Sequence, residues 1–243
     1  MAITVSQNQA GTQTTTASGS YSVAATSFTP ASGDLMLAYV GIFDCLTGSA
    51  SCTGGDVTWT KLLDEDGSGG LRDGFAFGAT ATAATAVVVS CGYSASATGG
   101  YAFIRAFAIQ GHGGFGTVTS TFVETNSSLV VGTIPHGASS AIFAGHVSSQ
   151  PDSILPTTFT GAGSLSSLSV AGGTLAHYVA HNLDIGASGT ASVQWGTVPG
   201  TLVARRRLML IEVLPTATVT FNYNLLEHRV MRGAGRGLMR GVA

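Results

Sequence analysis

Short apolar segments recur along the whole chain and are separated by clusters of glycine, serine, asparagine and proline. Few segments show helical periodicity, whereas many have the length and composition of strands. Strand-length segments between short turns are typical of antiparallel sheets, whereas a parallel sheet would need helical crossovers between its strands. The pattern therefore predicts an all-β fold, an antiparallel jelly-roll-like β-sandwich.

The predicted strands form two series along the sequence. The first series comprises 2–7, 19–25, 34–43, 57–63, 74–78, 86–92 and 102–110, and the second comprises 118–125, 128–134, 140–148, 177–182, 191–195, 207–213 and 218–223. In the segment 34–43, both alternating sets of side chains are apolar. This pattern predicts a central strand that is buried on both faces.

Four pairs of segments suggest an internal repeat. The pairs are 34–43 with 140–149, 75–78 with 178–181, 86–92 with 190–196, and 101–110 with 203–212. Their offsets all fall between 102 and 106 residues, and their common order indicates two related half-units, about 20–111 and 118–215. The half-units are either two sandwiches or two halves of one larger sandwich. We favour one merged domain, 1–215, because no linker separates them; the alternative is that any all-β chain resembles itself at some offset.

Charged residues make up only 9% of the chain, and one lysine is present in 243 residues. Soluble domains usually carry about 25% charged residues. A surface with so few charges is poorly protected against association, so we expect much of it to be covered by other copies of the chain or by neighbouring proteins. The formal net charge of −2 argues against nucleic acid as the main partner.

The last part of the sequence is basic and rich in glycine. No acid follows Glu227, whereas four arginines do: Arg229, Arg232, Arg236 and Arg240. We predict that residues 216–243 form a C-terminal strand and an extended arm, with these arginines binding a neighbouring subunit. Arg205 and Arg207 would share one face of a strand, and we interpret them as an interface or edge-protecting stripe rather than a nucleic-acid site.

The first residues lack the charged and apolar regions of a signal peptide, so secretion is not expected. No continuous apolar window is long enough for a membrane span, so membrane insertion is not expected either. Cys45 and Cys52 could form a disulfide if their loop folds back, but the reduced state is favoured. Cys91 lies in an apolar run and is interpreted as a small core residue.

No catalytic, cofactor-binding or metal-binding residue is predicted. The acids between Asp56 and Asp73 fit a solvated turn better than a Ca²⁺ loop, and nothing in the spacing selects Asp73 and Glu124 as a glycosidase pair. His177 and His181 lie in a strand-like segment, where residues four apart are too far separated to share one zinc ion. The segment 111–114 is interpreted as a flexible hinge between the half-units.

Four segments in the first half carry a family resemblance. They are 28–37 (FTPASGDLML), 59–62 (WTKL), 74–78 (GFAFG) and 101–107 (YAFIRAF). In this order they resemble the β-sandwich proteins of tailed-bacteriophage virions, of the minor tail or structural type. The chain departs from that pattern at Phe77 and Gly78, where members often have a charged Tyr-Lys pair.

The resemblance implies a non-enzymatic structural component of a virion, assembled in the host bacterial cytoplasm and docked on the tail or the capsid as a minor tail or decoration protein. It also implies partners among copies of the chain and neighbouring virion proteins. The alternative is a glycan- or host-receptor-binding module of a tail fibre. That module would need exposed aromatic side chains on a groove, and Trp59, Trp195 and Tyr223 are the candidates.

Overall fold

The computed structural model describes residues 2–14, 19–43, 47–65, 72–95, 101–125, 130–148, 156–159, 166–172, 175–195 and 204–217. Within these ranges every regular element is a strand, and all strand pairs are antiparallel. The strands of the first half are β1 (Thr4–Thr14), β2 (Gly19–Ala24), β3 (Leu35–Phe43), β4 (Thr47–Thr53), β5 (Thr60–Glu65), β6 (Arg72–Thr80), β7 (Ser90–Ala95) and β8 (Tyr101–Gln110). Those of the second half are β9 (His112–Thr125), β10 (Val130–His136), β11 (Ala141–Ser148), β12 (Pro156–Phe159), β13 (Ser166–Gly172), β14 (Leu175–Asn182), β15 (Gly189–Trp195) and β16 (Ala204–Pro215).

Each half contributes one five-stranded and one three-stranded sheet, with the same strand order in both halves. Central sheet 1 has the order β1-β8-β3-β6-β5, and outer sheet 1 has the order β2-β7-β4. Central sheet 2 has the order β9-β16-β11-β14-β13, and outer sheet 2 has the order β10-β15-β12. Adding eight to every strand number of the first half gives the second half.

The four sheets stack as layers around three cores. Outer sheet 1 packs on central sheet 1 through a core that includes Val23, Met36 and Phe75. The two central sheets pack against each other through a second core, and outer sheet 2 packs on central sheet 2 through a third. Central strands are therefore buried on both faces, as in β11, where all eight residues are buried. The all-β prediction is confirmed, and the layers are consistent with a β-sandwich.

Hydrogen bonds in the turns show which residues of the two halves are equivalent. The Ala81 amide donates to the carbonyl oxygen of Asp34 at 2.9 Å, and the Ile185 amide donates to that of Ser140 at 3.0 Å. Asp34 and Ser140 thus precede β3 and β11 in the same way. The segment pairs 34–43 with 140–149 and 75–78 with 178–181 lie on these equivalent strands. The domain boundaries from the sequence stay a prediction. In the structure, Gly111 lies between β8, the last strand of the first half, and β9, the first strand of the second half.

Several sequence expectations for individual strands are wrong. Strands β4, β12 and β13 are absent from the prediction, because β4 and β13 consist mainly of small glycine, serine, threonine and alanine residues and β12 has only four residues. The expected hinge at 111–114 is largely the start of β9, which pairs with the end of β16. The predicted strand 218–223 and the arm to residue 243 lie outside the described residues. None of the described segments forms a helix that is long and apolar enough to cross a membrane.

The expected cysteine chemistry also needs correction. Cys52 on β4 and Cys91 on β7 are register partners and form a disulfide across outer sheet 1, whereas Cys45 lies outside the described residues. The expectation of reduced thiols, with Cys45 as the alternative partner of Cys52, is therefore wrong for Cys52 and Cys91. The pairing depends on sheet topology, which places two residues 39 positions apart side by side.

Reduction of this disulfide is expected to lower the free energy of unfolding by about 3 kcal/mol, because the bond closes a long loop in the unfolded chain. The measurement is urea unfolding with and without a reductant, together with peptide mapping under non-reducing conditions. Cys45→Ser is the matched control and should leave the stability unchanged. A Cys45–Cys52 peptide in the map would contradict the assignment.

Candidate functional site

In the described part of the chain, several charged side chains lie in the interior. Among the side chains whose burial is described, five charged ones are buried: Asp34, Arg105, Arg206, Arg207 and Glu212. The exposed ones are Asp56, Lys61, Asp64 and Asp184. Lys61 and Asp64 form an ion pair at 2.8 Å, which neutralises part of this remainder. Of the charged side chains whose burial is described, more than half therefore lie in the interior.

The arginine run lies on β16, in the interior of central sheet 2. This strand pairs with β11 on one side and β9 on the other, so the interpretation as an edge-protecting stripe is wrong. The Arg207 side chain is 5% exposed, and its guanidinium lies 4.8 Å from the ring centroid of Phe122. Arg205 is in register with Glu124, and its side chain lies outside the described part. Only this small exposed fraction of Arg207 is accessible to a partner.

The four arginines of the predicted arm, Arg229, Arg232, Arg236 and Arg240, also lie outside the described residues. Their partner-binding role, like that of Arg205 and Arg207, stays a prediction. The described chain ends at Ala217, on the rim of a cavity of about 480 Å³ whose lining includes Ile3, Leu183 and Asp184.

Glu212 is a buried carboxylate with short hydrogen bonds to three residues. It accepts hydrogen bonds from the Thr117 amide at 2.9 Å, the Gly137 amide at 2.7 Å and the Ser140 hydroxyl at 2.7 Å. Burial by itself would raise the pKa of Glu212, but these hydrogen bonds outweigh it and hold the pKa below its usual value. The carboxylate ties the irregular start of β9 to the turn before β11, which is a structural role.

In the first half a buried carboxylate also fastens the turn before β3, but it belongs to Asp34 in that turn and not to the last strand. Asp34 accepts hydrogen bonds from the Ala31 amide at 2.9 Å and from the side chains of Gln110 at 3.3 Å and Ser6 at 3.4 Å. Ser6 lies at the bulge in β1, as Thr117 lies beside the bulge in β9. Both carboxylates therefore fasten an irregular first strand to a turn.

The outer faces of both outer sheets are uncharged. On outer sheet 1 this face consists of Ala24 and of hydroxyl side chains around Gly92, namely Ser20, Ser22, Ser51, Thr53, Ser90 and Ser94. On outer sheet 2 it consists of Val131, Thr133, Pro135, Thr190, Ser192 and Gln194. Neither face has a charged side chain among its described residues. Both are therefore poorly protected against association.

Other groups considered for chemistry do not assemble into a site. Within the described ranges, no three histidine, cysteine or acidic residues come together to hold a metal ion. His177 and His181 do lie on a strand, β14, so the strand interpretation is confirmed. The side chains of Asp73 and Glu124 are not described. His112 contacts the carbonyl oxygen of Gly33 through Nε2 at 2.9 Å, an arrangement that joins the two halves.

The aromatic residues proposed for glycan binding do not form an exposed platform in the described part. Trp59 is half-buried against the first core, and its indole N–H donates to the Gly54 carbonyl at 3.0 Å. The Trp195 side chain and all of Tyr223 lie outside the described residues. Phe122 is the one aromatic residue among the exposed large hydrophobic residues of the described part, at 44% exposure, and the Arg207 guanidinium lies over its ring.

Comparison of the chain with protein-family models, curated proteins and solved structures finds no match in any of the three.

Proposed function

We propose that this chain is a non-enzymatic structural component of a bacteriophage virion that associates with copies of itself and docks on the tail or capsid. The observation that carries the proposal is the inward placement of charge. With Asp34, Arg105, Arg206, Arg207 and Glu212 buried, only four described charged side chains remain exposed. A freely diffusing protein usually keeps a charged exterior for solubility, whereas an exterior covered by partners does not need one.

Two further observations support a building block that functions outside the cell. We infer that each half is a jelly roll, since the orders 1-8-3-6 and 2-7-4 follow the jelly-roll path, with the fifth strand joined to the central sheet. Jelly rolls are common in viral capsid proteins. The Cys52–Cys91 disulfide suits an oxidising environment, and virion surfaces are among the places where disulfides persist.

Self-association is tested by sedimentation of the complete chain over a range of concentrations. We expect oligomers at micromolar concentration, and we expect lysines on an outer face to weaken them at least tenfold, since like charges would face each other at the contact. Ser22→Lys with Ser51→Lys tests outer sheet 1, and Thr133→Lys with Thr190→Lys tests outer sheet 2. Ala83→Lys, in an exposed turn, is the control. A chain that stays monomeric at all concentrations would remove the self-association part of the proposal.

Virion membership needs a separate measurement. An antiserum against the purified chain should label particles of the phage that encodes it, purified by density-gradient centrifugation. Labelling at the tail or the head would also choose between the two docking positions. Unlabelled particles, together with specific binding on a glycan array, would favour the receptor-binding alternative.

A further inference from the structure

A cavity of about 340 Å³, which we call the Asp34 cavity, lies where the first half meets the described end of the chain. Its wall comes from the turn before β3, from the link between β8 and β9, and from Thr216. The Thr216 amide donates to the Gly111 carbonyl at 3.3 Å, and its hydroxyl donates to the His112 carbonyl at 3.2 Å. The cavity is therefore built by hydrogen-bonded backbone next to Ala217, the last described residue.

Asp34 brings to this cavity a buried carboxylate with one oxygen unused. The residue is only 5% exposed. The three hydrogen bonds that it accepts, from Ala31, Gln110 and Ser6, all end on Oδ2, so Oδ1 accepts none within the described chain. Oδ1 is also open to solvent rather than enclosed. Asp34 forms no ion pair in the described ranges, and a buried carboxylate without a paired charge favours a cationic partner.

The side-chain donors that line the Asp34 cavity are already engaged within the protein. Gln110 donates from Nε2 to Asp34 at 3.3 Å, and the Ser32 hydroxyl donates to a backbone carbonyl at 3.1 Å. His112 contacts a backbone carbonyl through Nε2 at 2.9 Å, and its Nδ1 is enclosed and cannot reach a ligand. The side-chain oxygens left without a hydrogen bond from the described residues are Oδ1 of Asp34 and Oε1 of Gln110. The cavity thus offers acceptors and a negative charge.

These two oxygens fit a guanidinium group better than a metal ion. A guanidinium presents several N–H donors in one plane, so one group can donate to the carboxylate and to the amide oxygen together. A Ca²⁺ ion takes roughly six to eight oxygen ligands, and one carboxylate with one amide oxygen falls well short of that number. The chemistry of the cavity therefore indicates an arginine side chain as its ligand.

The sequence supplies arginines shortly after the cavity wall. Beyond Thr216 it contains the four arginines named above and a single acid, Glu227. Thr216 also lines the neighbouring cavity of about 480 Å³, which contains the exposed carboxylate of Asp184, so two carboxylate-lined cavities border this residue. The link from Ala217 to Arg229 can span about 40 Å when it is extended, which is enough to return to its own copy or to reach a second one.

We propose that the Asp34 cavity binds an arginine side chain from residues 218–243, supplied by the same copy or by a second copy of the chain. The covalent link holds these arginines at a high effective concentration near the cavity, which favours them over a free cation. This inference goes beyond the proposed function and does not rest on it, because the segment can bind its own copy as well as a second one.

Photo-crosslinking of the complete chain tests this contact. p-Benzoylphenylalanine in place of Ser32, an exposed residue of the cavity wall, should capture a peptide from residues 218–243. The same group in place of Thr58, which is exposed and lines neither cavity, should capture at least fivefold less of that segment. A mixture of isotopically light and heavy protein identifies the source, since crosslinks that join the two isotopes come from a second copy. If no peptide from 218–243 is captured at position 32, the proposal is overturned.

Charge variants show whether the arginines and Asp34 make the contact. The first variant leaves every described residue unchanged and should lower capture at position 32 at least fivefold; it combines Arg229→Gln, Arg232→Gln, Arg236→Gln and Arg240→Gln. Asp34→Asn removes the charge but keeps an oxygen for the Ala31 amide, and it should lower capture at least threefold while circular dichroism stays that of the parent. Asp56→Asn, at an exposed acid that lines neither cavity, is the matched control and should not change capture. Full capture by the glutamine variant, or equal losses with Asp34→Asn and Asp56→Asn, would also overturn the proposal.

Discussion

Replacement of Gly145 by valine is expected to lower the free energy of unfolding by about 4 kcal/mol, near the upper end for one substitution. A Cβ at this position would lie 2.5 Å from Cδ1 and 2.7 Å from Cε1 of Tyr39. The Tyr39 ring is fully buried, and β11 is hydrogen-bonded to β14 and β16, so neither side can withdraw. Urea unfolding monitored by circular dichroism gives the value.

A double-mutant cycle shows whether the size match is the cause. Tyr39→Ala alone should lower the free energy of unfolding by about 4 kcal/mol, because it leaves a cavity. In the double variant with Gly145→Val, the loss should be at least ~1 kcal/mol smaller than the sum of the two single losses. Gly92→Val is the matched control, because a Cβ there meets no atom closer than 3.8 Å. Additive effects of Tyr39→Ala and Gly145→Val would show that the valine acts through another contact.

The contact between Tyr39 and Gly145 also explains why the repeat is so faint in the sequence. Asp34 and Ser140 are equivalent, so Tyr39 and Gly145 are equivalent too, and so are Gly41 and Val147. The two members of each pair lie against each other in the core between the central sheets, as residues on a two-fold axis do. Two large side chains would collide there, so one half carries the large residue and the other the small one. Identity between the halves is therefore lost where they meet.

The alternation of apolar and polar residues, together with the turn residues, predicts most of the strands from the sequence alone. The segment 34–43 has two apolar faces, and β3 is indeed buried on both because outer sheet 1 and central sheet 2 cover it. The segment pair 101–110 with 203–212 was aligned at an offset of 102. The strand register gives 104, since Ile109 pairs with Leu35 as Val213 pairs with Ala141. A shift of two keeps the same face outward, so the pattern could not reveal it.

Burial of charge could not be predicted from the same pattern. Arg207 and Glu212 look like surface residues by type, and their neighbours Met209 and Leu210 reveal only that β16 has two apolar faces. Whether such a charge is solvated depends on which sheets cover the strand. The partners of Glu212 come from residues 72 to 95 positions away in the chain, so its role is visible only in the fold.

Glu212→Leu is expected to lower the free energy of unfolding by about 4 kcal/mol. Leucine fills the space but accepts no hydrogen bond, which leaves the donors of Thr117, Gly137 and Ser140 unsatisfied at about 1–3 kcal/mol each before relaxation. Glu212→Gln retains one acceptor oxygen and should cost roughly half as much. Urea unfolding at pH 7 compares the two variants with the parent.

The pH dependence of stability distinguishes the contribution of the Glu212 charge from the contribution of its packing. Because the pKa of Glu212 is held low in the folded chain, its contribution is present at pH values above its ordinary pKa and is lost as pH falls through the lowered one. The deficit of Glu212→Leu relative to the parent should therefore shrink as the parent is acidified, while that of Gly145→Val should stay nearly constant. A Glu212→Leu deficit that is independent of pH would mean that packing, not the charge, fastens β9 to the turn before β11.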